Sequence, residues 1–252
     1  MHTLHFSFDD IAHTLHDLCV NRYDSVFQQP FLGRLRAIHQ ATGAVFTLFC
    51  FNRLAEIPGY DIANLPDCYQ AELSAESHWL RFGFHAEESP TKYAVDTGAG
   101  EAIVRCKEAL RRFAGEGSID SILRLGFFSG SLENVLAVKK AGVRGLYAAD
   151  DTRLSYHLNQ EQNDEVIRTG RFDDPQTGMV LIRSLPRLDN RSAEELIAAM
   201  DGWPQPMTEV FMHEKTFLHE PENYQRSLTS IARWASEQGY VHKFHSDVLF
   251  EA

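Results

Sequence analysis

At 252 residues, 44% of them hydrophobic and 23% charged, the chain has the composition of a folded globular protein with one large domain or two small ones. Its formal charge of -11, with no basic run longer than Arg111-Arg112 or Lys139-Lys140, excludes nucleic-acid binding through a basic surface. No stretch approaches the roughly 20 apolar residues of a membrane span, and the first residues carry His2, His5, Asp9 and Asp10 where a secretory signal would be basic and then apolar, so a cytoplasmic protein is expected.

Apolar runs alternate with helical patterns along the chain. Leu4 to Phe8 reads as a strand that stops on the paired carboxylates Asp9 and Asp10. A helix over about Phe31 to Gln40 precedes GAVFTLFCF (Gly43 to Phe51), a run of the kind buried on both faces of a sheet. Pro66 to Glu76 reads as helical, HWLRFGFH (His78 to His85) as a strand, and about Gly100 to Ala114 as a long helix. SILRLGFF (Ser121 to Phe128) is the next strand, Leu132 to Ala141 a helix, and VRGLYAAD (Val143 to Asp150) again a strand. Asp151 to Thr177 is polar and irregular and is expected to form a lid or insertion. Met179 to Ser184 reads as a strand. Ser192 with Glu195 forms a capping box for a helix to about Met200. EVFMH (Glu209 to His213) is a strand, Pro221 to Glu237 a helix with proline at its first position, and YVHKFH (Tyr240 to His245) the last strand. The four cysteines (Cys19, Cys50, Cys68, Cys106) form no C-x-x-C pair and are expected to be reduced.

Such alternation, with no linker and no repeat, implies an α/β fold with a parallel sheet and helices outside. About eight strands in one domain spanning residues 1–252 favour a distorted (β/α) barrel of seven or eight parallel strands. An open doubly wound sheet is the alternative, but no G-x-G-x-x-G follows the first strand.

In such a barrel the chemistry sits beyond the C-terminal strand ends. Those ends carry Asp9 and Asp10, Asn52, His85 with Glu87 and Glu88, Arg124, Asp150 and Asp151, Asp189, His213 with Glu214, and His245. Any strand meets water on polar residues, but Ser, Thr or Lys would serve as well, and here histidines and acids dominate. Carboxylates and imidazoles converging on one point make a divalent metal site that activates water, with a neighbouring carboxylate as base and a histidine opposite as acid. On one strand Asp9 and Asp10 should point to opposite sides, so they are not expected to share an environment. His78, His157, His219, His242 and His245 read as surface or packing histidines, although His245 stands at a strand end, and Phe127, Phe128, Tyr147 and Tyr156 as core or as walls for a sugar ring.

The residues FSFDD, FGFHAEES, ILRLGFF and EVFMHE, in that order, resemble motifs of the NodB-type polysaccharide deacetylases, carbohydrate esterases of family four. The resemblance runs from residue 4 to about residue 245 and suggests a divergent branch linked to O-antigen or surface-polysaccharide biosynthesis. It implies Asp9 as catalytic base, Asp10 and His85 as metal ligands, Arg124 as a groove residue and His213 as general acid. It implies a divalent metal as cofactor, Zn²⁺ first and Co²⁺, Ni²⁺ or Mn²⁺ otherwise, and an acetylated sugar or oligosaccharide as substrate. The family's second histidine ligand would stand four residues after His85, where this chain has Ser89. Glu88 is the expected substitute, with Glu87, Asp150, Asp151 and Glu214 as others. Two rival readings are a metal-dependent hydrolase of a glycosidic or other amide bond, and a non-catalytic sugar-binding protein on the same scaffold.

Overall fold

The computed structural model describes residues 2–203 and 205–250. Its strands are β1 (Thr3–Ile11), β2 (Phe46–Phe51), β3 (Leu80–Ala86), β4 (Ile122–Leu123), β5 (Gly145–Ala148), β6 (Arg171–Asp173), β7 (Val180–Arg183), β8 (Met207–His213) and β9 (Val241–His242). Its helices are α1 (His13–Asn21), α2 (Pro30–Thr42), α3 (Gln70–Ala75), α4 (Ala99–Ala114), α5 (Leu132–Lys140), α6 (Gln160–Thr169), α7 (Ala193–Asp201), α8 (Glu214–His219), α9 (Pro221–Glu237) and α10 (His245–Phe250). The fold is α/β, and among the described residues every strand pairing is parallel except that of β6 with β7.

One sheet runs β3-β2-β1-β8, with β9 beside the start of β1, and a second runs β4-β5-β7-β6. The two meet at seams made of isolated backbone bonds. Asp120 N–H donates to the Phe82 carbonyl (2.9 Å), and Leu185 N–H donates to the Glu209 carbonyl (3.0 Å). Through these seams the strands follow one another in the order β1-β2-β3-β4-β5-β7-β8, as two parallel arcs rather than one continuous ladder.

Strand alternation explains what fills the ring. On β1 the side chains of Leu4, Phe6 and Phe8 are buried, and Phe8 packs edge-on against Phe31 of α2 and Phe217 of α8. The intervening His5, Ser7 and Asp9 are also buried but face the interior of the ring. There His5 bonds Tyr147 (2.6 Å) and Thr47 (2.9 Å), and Ser7 donates to Glu209. Helix α4 buries Ala102, Ile103, Cys106, Ala109, Leu110 and Phe113 at helical spacing to cover the outside. The capping box at Ser192 and Glu195 and the proline at the start of α9 are formed as expected.

Several expectations are corrected. The strand expected over Ser121 to Phe128 keeps only Ile122–Leu123, because Phe127 and Phe128 both take left-handed backbone angles (φ 59° and 54°). The segment 151–177, expected to be irregular, holds α6, and β6 pairs antiparallel with β7. The last strand shrinks to Val241–His242, and His245 opens α10 instead. His245 bonds Tyr147 (3.1 Å) and packs on His5, beside the N-terminal half of β1, so it is a packing histidine as expected and lies away from the C-terminal strand ends. All four cysteines are free. No described helix is long and apolar enough to cross a membrane.

Candidate active site

Beyond the C-terminal ends of the strands, a pocket of about 130 Å³ is lined by Asp9, Asp10, His85, Glu88, Arg124 and His213, among others. Both aspartates reach it. Between Phe8 and Ile11 the register of β1 on β2 shifts, so that Phe8 stands opposite Leu48 and Ile11 opposite Cys50. The extra residue is taken up by Asp10 at φ 63°, a left-handed conformation that aspartate tolerates better than most residues. This bulge overturns the alternation argument: it turns Asp10 back to the side Asp9 already faces. Because β1 and β8 run in parallel with Asp9 opposite His213, the late strand delivers its histidine beside the first motif.

Each polar group is held by a partner. Arg124, 1% exposed, donates to Asp9 Oδ1 (2.9 Å), Ser7 (3.0 Å) and Ser184 (2.9 Å), and its Nη2 lies 2.6 Å from Glu209. Its guanidinium also lies over the Phe211 ring, 4.0 Å from the centroid. Arg124 therefore lines the pocket as the counter-ion of two buried carboxylates. Burial pushes the Glu209 carboxyl up, and Arg124 opposes that shift.

His85 donates from Nδ1 to the Arg124 carbonyl (2.7 Å), which leaves Nε2 facing Asp10 Oδ1 at 3.2 Å. Burial lowers the His85 pKa, but the Asp9 charge and the bond to Asp10 outweigh it, and the net shift is upward. Burial raises the Asp10 pKa, but His85 outweighs that and the net shift is downward. His213 receives both oxygens of one carboxylate: Asp189 Oδ1 accepts its backbone N–H (3.0 Å) and Oδ2 accepts Nδ1–H (2.6 Å). Burial pulls the His213 pKa down, yet the Asp189 bond and the charges of Asp9, Asp189 and Asp10 carry it above the ordinary value.

The Asp10–His85 pair passes part of a test for metal binding. With Nδ1–H bonded to a backbone carbonyl, the Nε2 lone pair is aimed at a carboxylate oxygen, and two acceptors face each other unless a proton or a cation lies between them. The nitrogen and oxygen donors suit a divalent transition metal. The expected third ligand is not brought in: among the described residues no three His, Cys, Asp or Glu side chains are grouped to hold an ion. Glu88 borders the pocket but stands outside the pair. The other substitutes are engaged elsewhere. Glu87 bonds Arg105 (2.9 Å) and Asn52 (2.6 Å), Asp150 holds Arg187, and Asp151 holds Arg153. Glu214 is fully buried and accepts the backbone N–H groups of Ala12 (2.9 Å), His13 (2.9 Å) and Thr14 (2.7 Å), capping the start of α1.

Sequence reasoning placed Asp189 at a strand end without seeing it as the partner of His213. It also missed Glu209 and Ser7, whose signal was a polar residue at alternate positions inside an apolar run. Phe127 and Phe128 do border the pocket, joined by Phe51 and Phe211. Tyr147 and Tyr156 are buried, with Tyr156 donating to the Tyr147 carbonyl (2.6 Å).

No known family model and no curated protein sequence matches the chain. Solved structures do. The chain is similar in fold to a family 4 acetyl xylan esterase from Clostridium thermocellum in complex with a cobalt ion, at 13% identity and a TM-score of 0.53, over 94% of this chain and 85% of that one. It is also similar to a peptidoglycan N-acetylglucosamine deacetylase, at 14% identity and a TM-score of 0.51, over 94% of this chain and 83% of that one. The parallel α/β architecture is therefore shared with these two enzymes.

Proposed function

We propose that the protein is a metal-dependent hydrolase that removes an acetyl group from an N-acetylated sugar of a surface polysaccharide or its precursor. One observation carries the reading: Asp9, Asp10, His85 and His213 border a single pocket at the C-terminal strand ends, each oriented by a fixed partner. The fold likeness to deacetylases, one of them holding cobalt, supports it.

Asp10 and His85 would hold the divalent ion, for which Zn²⁺ fits the mixed nitrogen and oxygen donors. Once bound, the ion supplies a Lewis acid for the acetyl carbonyl and lowers the pKa of water. Asp9, with Oδ1 bound by Arg124, keeps Oδ2 to take the proton of the attacking water. His213, with Nδ1 committed to Asp189, carries its reactive proton on Nε2 and delivers it to the departing amine. Its raised pKa favours the protonated form. Phe127, about half exposed beside the pocket, offers an apolar face to the sugar ring.

The test is acetate release from N-acetylated amino sugars by the Zn²⁺-supplemented protein. Asp9→Asn is expected to abolish turnover while metal content stays unchanged, and an active Asp9→Asn variant would refute the assignment. The incomplete ligand set favours a second reading, a sugar-binding protein without catalysis. That reading predicts no gain in thermal stability on adding Zn²⁺, Co²⁺ or Ni²⁺.

A further inference from the structure

The pocket is electrically divided. Asp9, Asp10 and Glu88 border it on the side of β1 and β3, whereas the side formed by the loops after β5 and β7 presents Arg153 and Arg187. The two guanidiniums flank an aromatic wall, Arg153 lying 5.7 Å from the Phe128 centroid and Arg187 lying 5.4 Å from that of Phe211. Phe128 and Phe211 pack edge-to-face at 6.0 Å and form, with Ala149, a small apolar cluster apart from the main core.

Each arginine is held from one edge only. Asp151 accepts from Nε and Nη2 of Arg153, with Nε 2.8 Å from its Oδ1. Asp150 accepts from Nε and Nη2 of Arg187, both at 3.2 Å. In both, Nη1 is left over. A guanidinium already fixed by a carboxylate loses little side-chain entropy when a second oxyanion meets its remaining N–H groups. Two such donors on one wall exceed what a neutral sugar needs, since its hydroxyls are met equally well by uncharged groups.

We propose that Arg153 and Arg187 form an oxyanion-recognition wall, so that the acetylated sugar this site takes carries a carboxylate or a phosphate within one ring of the reacting acetyl group. The inference rests on the deacetylase reading and narrows its substrate class. The distance limit comes from size: a cavity of about 150 Å³ holds a benzene-sized group, so a pocket of about 130 Å³ admits the acetamido end of one sugar and not a chain of them. The acetamide goes to the side of Asp10 and His85, and the anionic substituent goes to the arginines.

Calorimetric titration of the whole protein, with and without Zn²⁺, tests this with three probes: N-acetylglucosamine, its 1-phosphate and its 6-carboxylate (the uronic acid). One or both anionic sugars should bind at least about tenfold tighter than the neutral one, from roughly one charge-assisted contact per arginine. Whichever does so identifies the source of the charge. Arg153→Ala and Arg187→Gln should each cut that anionic-to-neutral ratio about tenfold, and added KCl should compress it. Equal affinity for all three probes, no binding of either anionic sugar, or an equal loss for all three in the variants would overturn the proposal. Should Arg187→Gln fail to fold, Arg153→Ala, at an exposed ion pair, decides alone. Discrimination without acetate release would refute the deacetylase reading only, and acetate release without discrimination would refute this one only.

Discussion

Glu214 is the perturbation whose consequence follows most directly from geometry. Its carboxylate is fully buried and accepts three backbone N–H groups, those of Ala12, His13 and Thr14, which are the unpaired donors at the start of α1. It sits next to His213 at the end of β8, so it ties the chain leaving Asp9 and Asp10 to the strand carrying the histidine. Burial raises its pKa, and the bonds to Ala12, Thr14 and His13 work against that rise. A net contribution of about 1.5 kcal/mol for each charge-assisted bond, with water re-forming part of the loss, puts Glu214→Ala at about 3–5 kcal/mol destabilised. Glu214→Gln keeps one acceptor oxygen but turns an amide donor toward an N–H group, and about 2 kcal/mol is expected. Against a total stability of about 5–15 kcal/mol these are large fractions. Urea unfolding followed by circular dichroism measures them as a shift in midpoint at constant slope. Values within about 0.5 kcal/mol of the wild type for both variants would show that the three N–H groups find other partners, and the coupling of the two strand ends through Glu214 would fall with them.

Three further predictions concern charge. Asp189→Asn removes the charge, and one of the two acceptor oxygens, that raise the His213 pKa, so the alkaline limb of the pH–rate profile should move to lower pH; an unmoved limb would mean another group sets it. Arg124→Met strands Asp9 and Glu209 without their cation and should cost about 3–5 kcal/mol near neutrality. Because Glu209 is already held above the usual carboxylate range, that loss should shrink in thermal melts as pH falls and the carboxyl protonates, and a loss independent of pH would argue against the ion pair. Burial pulls the His245 pKa down to about 3 and lowers His5 too. The unfolded chain binds those protons first, so their stabilisation is complete above the unfolded pKa of about 6.5 and is lost as pH falls toward 3. His245 alone should cost about 2 kcal/mol at pH 5, from about 1.5 pH units at 1.36 kcal/mol each. The slope of stability between pH 7 and pH 5 should flatten in a folded His245→Gln variant.

The periodic part of this protein was legible in the chain alone. Runs such as GAVFTLFCF and the spacing of α4 read correctly because burial on a sheet or along one helix face is a property of local periodicity. The order of strand ends carrying Asp9, Asp10, His85, Arg124 and His213 was equally legible, since a parallel α/β barrel places all such ends together. Where those side chains point, and what holds them, depended on contacts between elements distant in the chain. The Asp10 bulge arises from a register difference against β2, which no pattern within β1 encodes. Glu214, Glu87, Asp150 and Asp151 were ambiguous acids in the chain. Their engagement with α1, Arg105, Arg187 and Arg153 removes them as ligands, because a buried or clamped carboxylate answers to its nearest donor and not to its place in a motif. The interior shows the same division: His5, Ser7 and Asp9 stand at alternate positions of HFSFD, but only the packing of the two sheets shows that this face looks inward onto Arg124, Glu209 and Tyr147.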